Sequence, residues 1–446
     1  METSPRDFLM QMYLEHLEDA AFLYDQRHAL MADADLPWVR LQDFEERLEA
    51  HIDALVIGGE LALEVCRSRA AEGEAAELYA AVCVFCRNKG SHLLGEVWRV
   101  LDFADRAKVR AVTEALKFEL PNEWRAPCEQ ALMRADDQLV PILAVVCASR
   151  SISVGDRLLA RLAARPPLVQ PLTIWALVRT GTAAEFAVPM LAQYCSHADV
   201  AVRASALTGL LRFDDRRTLR SFYLAAQTED WPQLALGLGG DRSAATGLRQ
   251  RAESGRATHD TLLALGLLGD LSTVRVLCQC LSNEELSGIA SLALHWITGA
   301  RLFGEEFIPE EADELELTES ELIAFRDRAE LPKRADGKPF GHAVQRLTTD
   351  AAQWNAWLEA NARRFDPSVR YRKGKPYSVT AVLHCLVDES TPGRLRQLAY
   401  EELVIRFGCP VPFEADWRVA DQKSVLREIG RWAMTDGERF EIGSWR

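Results

Sequence analysis

The residues whose spacing most resembles a chemical motif are four cysteines. Cys83 and Cys86 form a CxxC pair, and Cys278 and Cys280 form a CxC pair. Zinc could bind such thiolates, but a structural zinc site requires two neighbouring pairs or additional histidines. These pairs are far apart in the chain, and each lies in an apolar helical stretch. We therefore predict buried structural cysteines, with a metal or redox role as the alternative.

Other catalytic patterns are missing from the sequence. None of the nine histidines is followed by glutamate, so neither HExxH nor the His-Glu pairs of HEAT-type di-iron hydroxylases occur. No GxSxG nucleophile motif is present. The glycine-rich stretch at 237–240 has no preceding strand and no following GK[ST], as a phosphate-binding loop would require. The sequence predicts a protein that is not an enzyme, with no catalytic residues, no metal and no cofactor.

The strongest local charge is an acidic run. Residues 305–321 contain nine carboxylates and no Lys or Arg. One hypothesis is a negative surface that binds a basic protein partner; the alternative is a solvated acidic linker. Thr318 and Glu321 also predict a capping box for a helix through Arg328. The candidate partner-binding residues are Glu305, Glu306, Glu310, Glu311, Asp313, Glu314 and Glu316.

A basic stretch follows the acidic run at 370–376, with the sequence RYRKGKP. It is interpreted as a solvated turn that balances the acidic run. Because Tyr371 and Tyr377 alternate with its cations, contact with nucleic acid is the alternative.

The elements that would position these residues follow a repeat. Ala followed by Leu or Val recurs at spacings of 29, 32, 30, 29, 29 and 29 residues. Each pair lies in a short apolar helix, and Gly, Thr or Asp turns follow most of them. Helix-turn-helix units of this length predict an all-α fold, a HEAT-like α-solenoid. The alanines are Ala115, Ala144, Ala176, Ala206, Ala235, Ala264 and Ala293.

Four regions are predicted from these patterns. An N-terminal helical cap covers 1–72, the HEAT-like repeat array covers 73–300, an acidic linker segment covers 301–340, and a C-terminal helical region covers 341–446. Few strand signals are visible in any of them.

Composition limits the class of protein. The 446 residues carry a net charge of −14, with 48% hydrophobic residues. That balance disfavours a protein that grips phosphate backbones, and it fits an acidic globular protein with a basic partner. The N-terminal residues lack the pattern of a secretory signal, and no apolar run approaches a membrane span. We expect a cytoplasmic protein that binds neither nucleic acid directly nor membranes.

Several stretches resemble a bacterial family of HEAT-repeat proteins that are often encoded in type VI secretion clusters. They are 15–24 (EHLEDAAFLY), 45–55 (EERLEAHIDAL), 294–299 (LHWITG) and 370–376 (RYRKGKP). The resemblance implies a helical-repeat fold without catalytic residues, and an immunity protein whose partner is a toxic effector with nuclease activity. Two alternatives are a type VI effector adaptor and a HEAT-fold enzyme such as a DNA glycosylase or a bilin lyase.

Overall fold

The protein is all-α, as its sequence predicts. The computed structural model describes residues 4–309, 314, 317–334 and 337–445. Within those ranges, helices are interrupted by two short antiparallel sheets of two strands each. No helix there has both the length and the apolarity needed to cross a bilayer.

The chain divides into two compact units. Unit 1 comprises Met1–Leu248 and Ser378–Arg446, and unit 2 comprises Arg249–Tyr377. These limits differ from the predicted boundaries at 72, 300 and 340, because the last three helices return to the N-terminal part of the chain and pack there.

Unit 1 is built from helices on both sides of the inserted unit 2. Its first group ends with α14, which crosses the boundary between the units. That group is α1 Pro5–Ala32, α2 Leu41–Ile57, α3 Gly59–Glu72, α4 Ala75–Arg87, α5 Ser91–Val100, α6 Arg106–Glu119, α7 Arg125–Arg134, α8 Val140–Ser149, α9 Gly155–Ala164, α10 Pro171–Leu177, α11 Ala184–Tyr194, α12 Val200–Arg212, α13 Gln233–Gly239 and α14 Arg242–Glu253.

One layer of helices organises unit 1. Its members α4, α6, α8, α10, α12 and α13 each pack against the next in that order. This neighbour-to-neighbour order is what stacked helical repeats require. The C-terminal helices of unit 1 lie against it: α21 contacts α12 and α13, α22 contacts α2, and α20 joins α21 to α22. Their bounds are α20 Val379–Val387, α21 Gly393–Phe407 and α22 Val419–Thr435.

Unit 2 combines helices with both sheets. Helix α17 is its centre, packing against α15, α16, β2 and β3. At one point α15 and α17 touch closely: a Cβ added to Gly266 would lie 3.0 Å from Cα of Ala293. The elements are α15 His259–Leu268, α16 Val274–Cys280, α17 Glu284–Thr298, β1 Phe303–Pro309, α18 Glu319–Arg328, β2 Gly341–Leu347, α19 Ala351–Asn361, β3 Tyr371–Arg372 and β4 Lys375–Pro376.

The seven repeated alanines all lie in helices and are all buried. They fall one each in α6, α8, α10, α12, α13, α15 and α17, and none is more than 3% exposed. A small side chain at the same place in each repeat lets successive helices approach closely, which explains the sequence period.

The helix predicted from Thr318 to Arg328 is confirmed. Thr318 and Glu321 form the expected capping box, and α18 ends at Arg328. Helix α21 ends at Phe407 and is followed by Gly408, whose φ of 67° is the left-handed conformation of a helix stop.

The strands are the main departure from the sequence prediction. Strand β1 pairs antiparallel with β2 over seven residues, from Phe303 opposite Leu347 to Pro309 opposite Gly341. Part of the predicted acidic linker is therefore a paired strand. The strands went unnoticed because their partners are separated by more than 30 residues, so no hairpin turn marks them.

Candidate partner-binding surface

The predicted acidic residues fall on and beside the β1–β2 ribbon. Glu305 and Glu306 lie in the middle of β1, and both are exposed. Glu314 is exposed just before α18. The other four candidates, Glu310, Glu311, Asp313 and Glu316, lie outside the described residues.

Exposed aromatic rings accompany these charges. Phe303 is 46% exposed and Phe307 is 43% exposed. Because side chains alternate along a strand, both rings share one face of β1 with Glu305. On the opposite face, across the ribbon from Glu306, Val344 is buried. The surface formed by Phe303, Glu305 and Phe307 is called the β1 surface below.

The charges on this surface differ in their pairing. A carboxylate oxygen of Glu306 lies 3.1 Å from the Arg346 guanidinium of the neighbouring strand. Glu314 pairs with Arg326 of α18. Among the described residues, Glu305 has no ion-pair partner. Since exposed pairs contribute little to stability, these carboxylates do little to hold unit 2 together.

The basic stretch at 370–376 was predicted to be a solvated turn, and for two of its arginines that is wrong. The side chains of Arg370 and Arg372 are completely buried. Nε of Arg370 donates to the carbonyl of Leu268 over 2.7 Å, and a terminal nitrogen of Arg372 donates to that of Leu267 over 2.7 Å. The two guanidinium groups thus satisfy carbonyls that the end of α15 leaves without helical partners.

Aromatic rings complete this buried arrangement. The Arg370 guanidinium lies 3.8 Å from the centre of the Tyr377 ring, and that of Arg372 lies 4.6 Å from the Trp296 ring. The alternation of cations and aromatics that favoured nucleic acid therefore serves internal cation–π packing. Only Lys375 of the four cations in the stretch is exposed.

The cysteines are buried, as predicted. All ten are free thiols with buried side chains. Burial raises the pKa of Cys86 to about 12, which disfavours the reactive thiolate. Among the described residues, no group of three or more His, Cys, Asp or Glu side chains is arranged to hold a metal ion.

Unit 1 contains a cavity of about 200 Å³. Trp175, Tyr400 and Trp417 contribute to its walls, and Arg179 and Arg212 line it as well. Both cations already pair with carboxylates, of which Glu401 is buried. Arg179 pairs with Glu401 and with Glu414, at 2.5 and 2.6 Å, and Arg212 pairs with Glu401 at 2.6 Å.

The pKa values of the two carboxyl groups are shifted in opposite directions. Burial disfavours the Glu401 carboxylate, but the charges of Arg212 and Arg179 outweigh that cost and lower its pKa to about 2. For Glu414 burial prevails, and its pKa is raised despite Arg179. Each arginine already has a carboxylate partner. The charged groups that line this cavity therefore form a structural ion-pair network.

Further charged contacts fasten the C-terminal part of unit 1. Arg418 lies 2.5 Å from Glu119, and Lys117 lies 2.5 Å from Asp416. Arg27 also donates to the backbone carbonyl of Asp416 over 2.8 Å. Arg27 belongs to α1, and Lys117 and Glu119 belong to α6. The segment after residue 378 therefore occupies a side of the helix layer that an open repeat array would leave free.

Sequence reasoning missed Phe303 and Phe307. Each ring lies two residues from Glu305, and this alternation is typical of a half-exposed strand. It was the sequence signal that could have revealed them. No protein-family model matches this chain, and a search of curated proteins finds no match.

Proposed function

We propose that this chain is a non-enzymatic immunity protein that binds a toxic type VI secretion effector, a nuclease, and neutralises it in the producing cell. The observation that carries the protein-binding part is the β1 surface, where Glu305, which has no ion-pair partner among the described residues, lies between two exposed aromatic rings. The nature of the effector rests on the sequence resemblance.

Charge complementarity supports this partner. A nuclease presents cationic side chains where it binds the phosphates of its substrate. The net charge of −14 attracts such a surface at long range, and the acidic run gives the encounter a preferred location. The aromatic rings supply the apolar contact area that charged residues cannot.

The packing of unit 1 supports placing the contact in unit 2. The C-terminal helices and their ion pairs already cover one side of the helix layer. A partner would have to displace ion pairs such as Arg179–Glu401 to reach it. The β1 surface needs no such rearrangement, because its rings and Glu305 are already exposed.

The test is rescue of cells from the toxin. A candidate nuclease-toxin gene is expressed in cells with and without this chain, and survival is counted. Full survival only with this chain supports immunity. Survival that is equally low in both cultures, with the two proteins co-purifying, would instead indicate an adaptor.

The acidic contribution is tested by association kinetics. The double substitution Glu305→Gln and Glu306→Gln should slow association with the effector and flatten its dependence on salt. The matched control is Asp25→Asn with Glu60→Gln, which removes the same charge from exposed positions in unit 1. An equal effect of both pairs would assign the steering to net charge alone.

A further inference from the structure

The free edge of strand β1 has unused hydrogen-bonding groups. The backbone N–H of Thr348 donates to the carbonyl of Leu302 over 2.8 Å, so this pair faces inward. In an antiparallel ladder, alternate residues face the partner strand and the others face away. With the observed register, Phe303, Glu305 and Phe307 direct their N–H and C=O groups away from β2.

No other strand covers this edge in the part of the chain that the structure describes. The sheet consists of β1 and β2 alone, and no described backbone group bonds to residues 303, 305 or 307 on the outer side. An uncovered strand edge with exposed Phe303 and Phe307 is a template for pairing with another chain.

From this geometry we infer that the edge of β1 binds an extended basic segment of the effector as an added antiparallel strand. The inference rests on the proposed function and specifies how the partner binds. Residues opposite Phe303, Glu305 and Phe307 would share a face with them, since cross-strand neighbours lie side by side. The partner segment therefore has the pattern apolar-x-basic-x-apolar.

The charge of Glu305 selects the occupant. If a second copy of this chain paired antiparallel about residue 305, two glutamates would lie directly opposite each other, which is unfavourable. A Lys or Arg in that place forms a cross-strand ion pair instead. The edge is closed at its far end by Pro309, which has no N–H to donate.

Proline substitution tests the backbone contact directly. Glu305→Pro removes the outward N–H without removing a bond to β2, whereas Glu305→Thr keeps the N–H and removes the same charge. We expect the Pro variant to bind the effector at least about tenfold more weakly than the Thr variant, equivalent to the loss of about 1.4 kcal/mol. Equal affinities would overturn the added-strand proposal while leaving the proposed function intact.

A synthetic probe tests the edge independently of the effector. The peptide acetyl-Thr-Val-Thr-Arg-Thr-Val-Thr-amide at millimolar concentration should slow hydrogen exchange at Phe303, Glu305 and Phe307 by about threefold or more. Methylating the backbone nitrogen of its Arg should abolish that protection, because in the added strand this N–H faces Glu305. Methylating the next Thr, whose N–H faces away, should not.

The outcomes separate the two proposals. Unchanged exchange at the three residues with the full-length effector bound would overturn the added strand even if the toxin is neutralised. Protection by the peptide without any effect on the effector would support the strand site and refute the immunity function. If Glu305→Pro fails to fold, the pair of methylated peptides still decides the question.

Discussion

Arg179 and Glu401, 222 residues apart in the chain, form a largely buried ion pair with 2.5 Å between guanidinium nitrogen and carboxylate oxygen. Glu401 also pairs with Arg212, so one carboxylate of α21 joins α10's C-terminal end to α12. The pair shows that the two sequence segments of unit 1 form one structure, and it makes their contact testable by single substitutions.

Removing this carboxylate should be costly. Glu401→Gln leaves the Arg212 charge buried without its partner, and breaking a buried pair in this way costs about 3–5 kcal/mol. Urea unfolding of the purified variant measures the loss. The control is Glu64→Gln, which breaks the exposed pair with Arg6 and should cost no more than about 1 kcal/mol. Similar losses in both variants would contradict the assigned role of Glu401.

Stability should also fall with acid in a way that depends on Glu401. Its pKa of about 2 lies below the ordinary value, so its stabilisation is complete above the unfolded-state pKa and is lost as pH falls toward 2. Between about pH 5 and pH 3, the difference in unfolding free energy between wild type and Glu401→Gln should narrow by roughly 2 kcal/mol. Because the other carboxyl groups titrate in both proteins, their contributions largely cancel in the difference between wild type and variant. If the difference in unfolding free energy stays constant between pH 5 and pH 3, the pKa of Glu401 is not lowered in the folded protein.

The buried basic stretch can be tested through the glycine it touches. Gly269 has a φ of 68°, and a Cβ there would lie 2.2 Å from the carbonyl oxygen of Tyr371. Gly255 has a similar φ of 74° but open space around it. Both Gly→Ala variants should lose about 1 kcal/mol to backbone strain. Gly269→Ala should lose at least about 2 kcal/mol more because the backbone of Tyr371 must move.

Thermal unfolding of the two glycine variants gives the comparison. Equal melting temperatures would mean that the segment at 370–374 does not pack against the end of α15.

Truncation should disrupt unit 1. Deleting residues 378–446 removes α20, α21 and α22. It also leaves buried charges such as Lys117 without their ion-pair partners. We expect the shortened chain to bind a hydrophobic dye and to lose cooperative unfolding. A shortened chain that melts cooperatively within about 5 °C of the full chain would contradict this packing.

The helices were predictable because their signals are local. The seven spaced alanines predicted helices with a buried face, and the Thr318–Glu321 box predicted the start of α18. The capping box lies within one helical turn, and each alanine lies in its own short apolar stretch, so each helix could be recognised from its neighbouring residues.

Long-range pairing was not predictable from such signals. Arg370 and Arg372 read as a charged turn because nothing near them in sequence shows that they cap α15, more than 100 residues earlier. The pairing of β1 was not predictable for the same reason, because its partner strand β2 follows α18 in the chain. Likewise, the role of Glu401 depends on Arg179 and Arg212, which no local pattern connects to it.

For the candidate surface, the sequence located Glu305 and Glu306 but missed the rings beside them. The number of charges in the sequence identifies an acidic run. That Phe303 and Phe307 lie along a free strand edge can be known only from the register of β1 with β2.

The immunity function is measured most directly by DNA cleavage by the candidate effector, titrated with this protein. If this chain is an immunity protein, cleavage declines in proportion to added protein and reaches background once every effector molecule is bound. The Glu305→Gln and Glu306→Gln double variant should require more protein or more time to reach the same inhibition. Full cleavage in the presence of excess protein would contradict the immunity function.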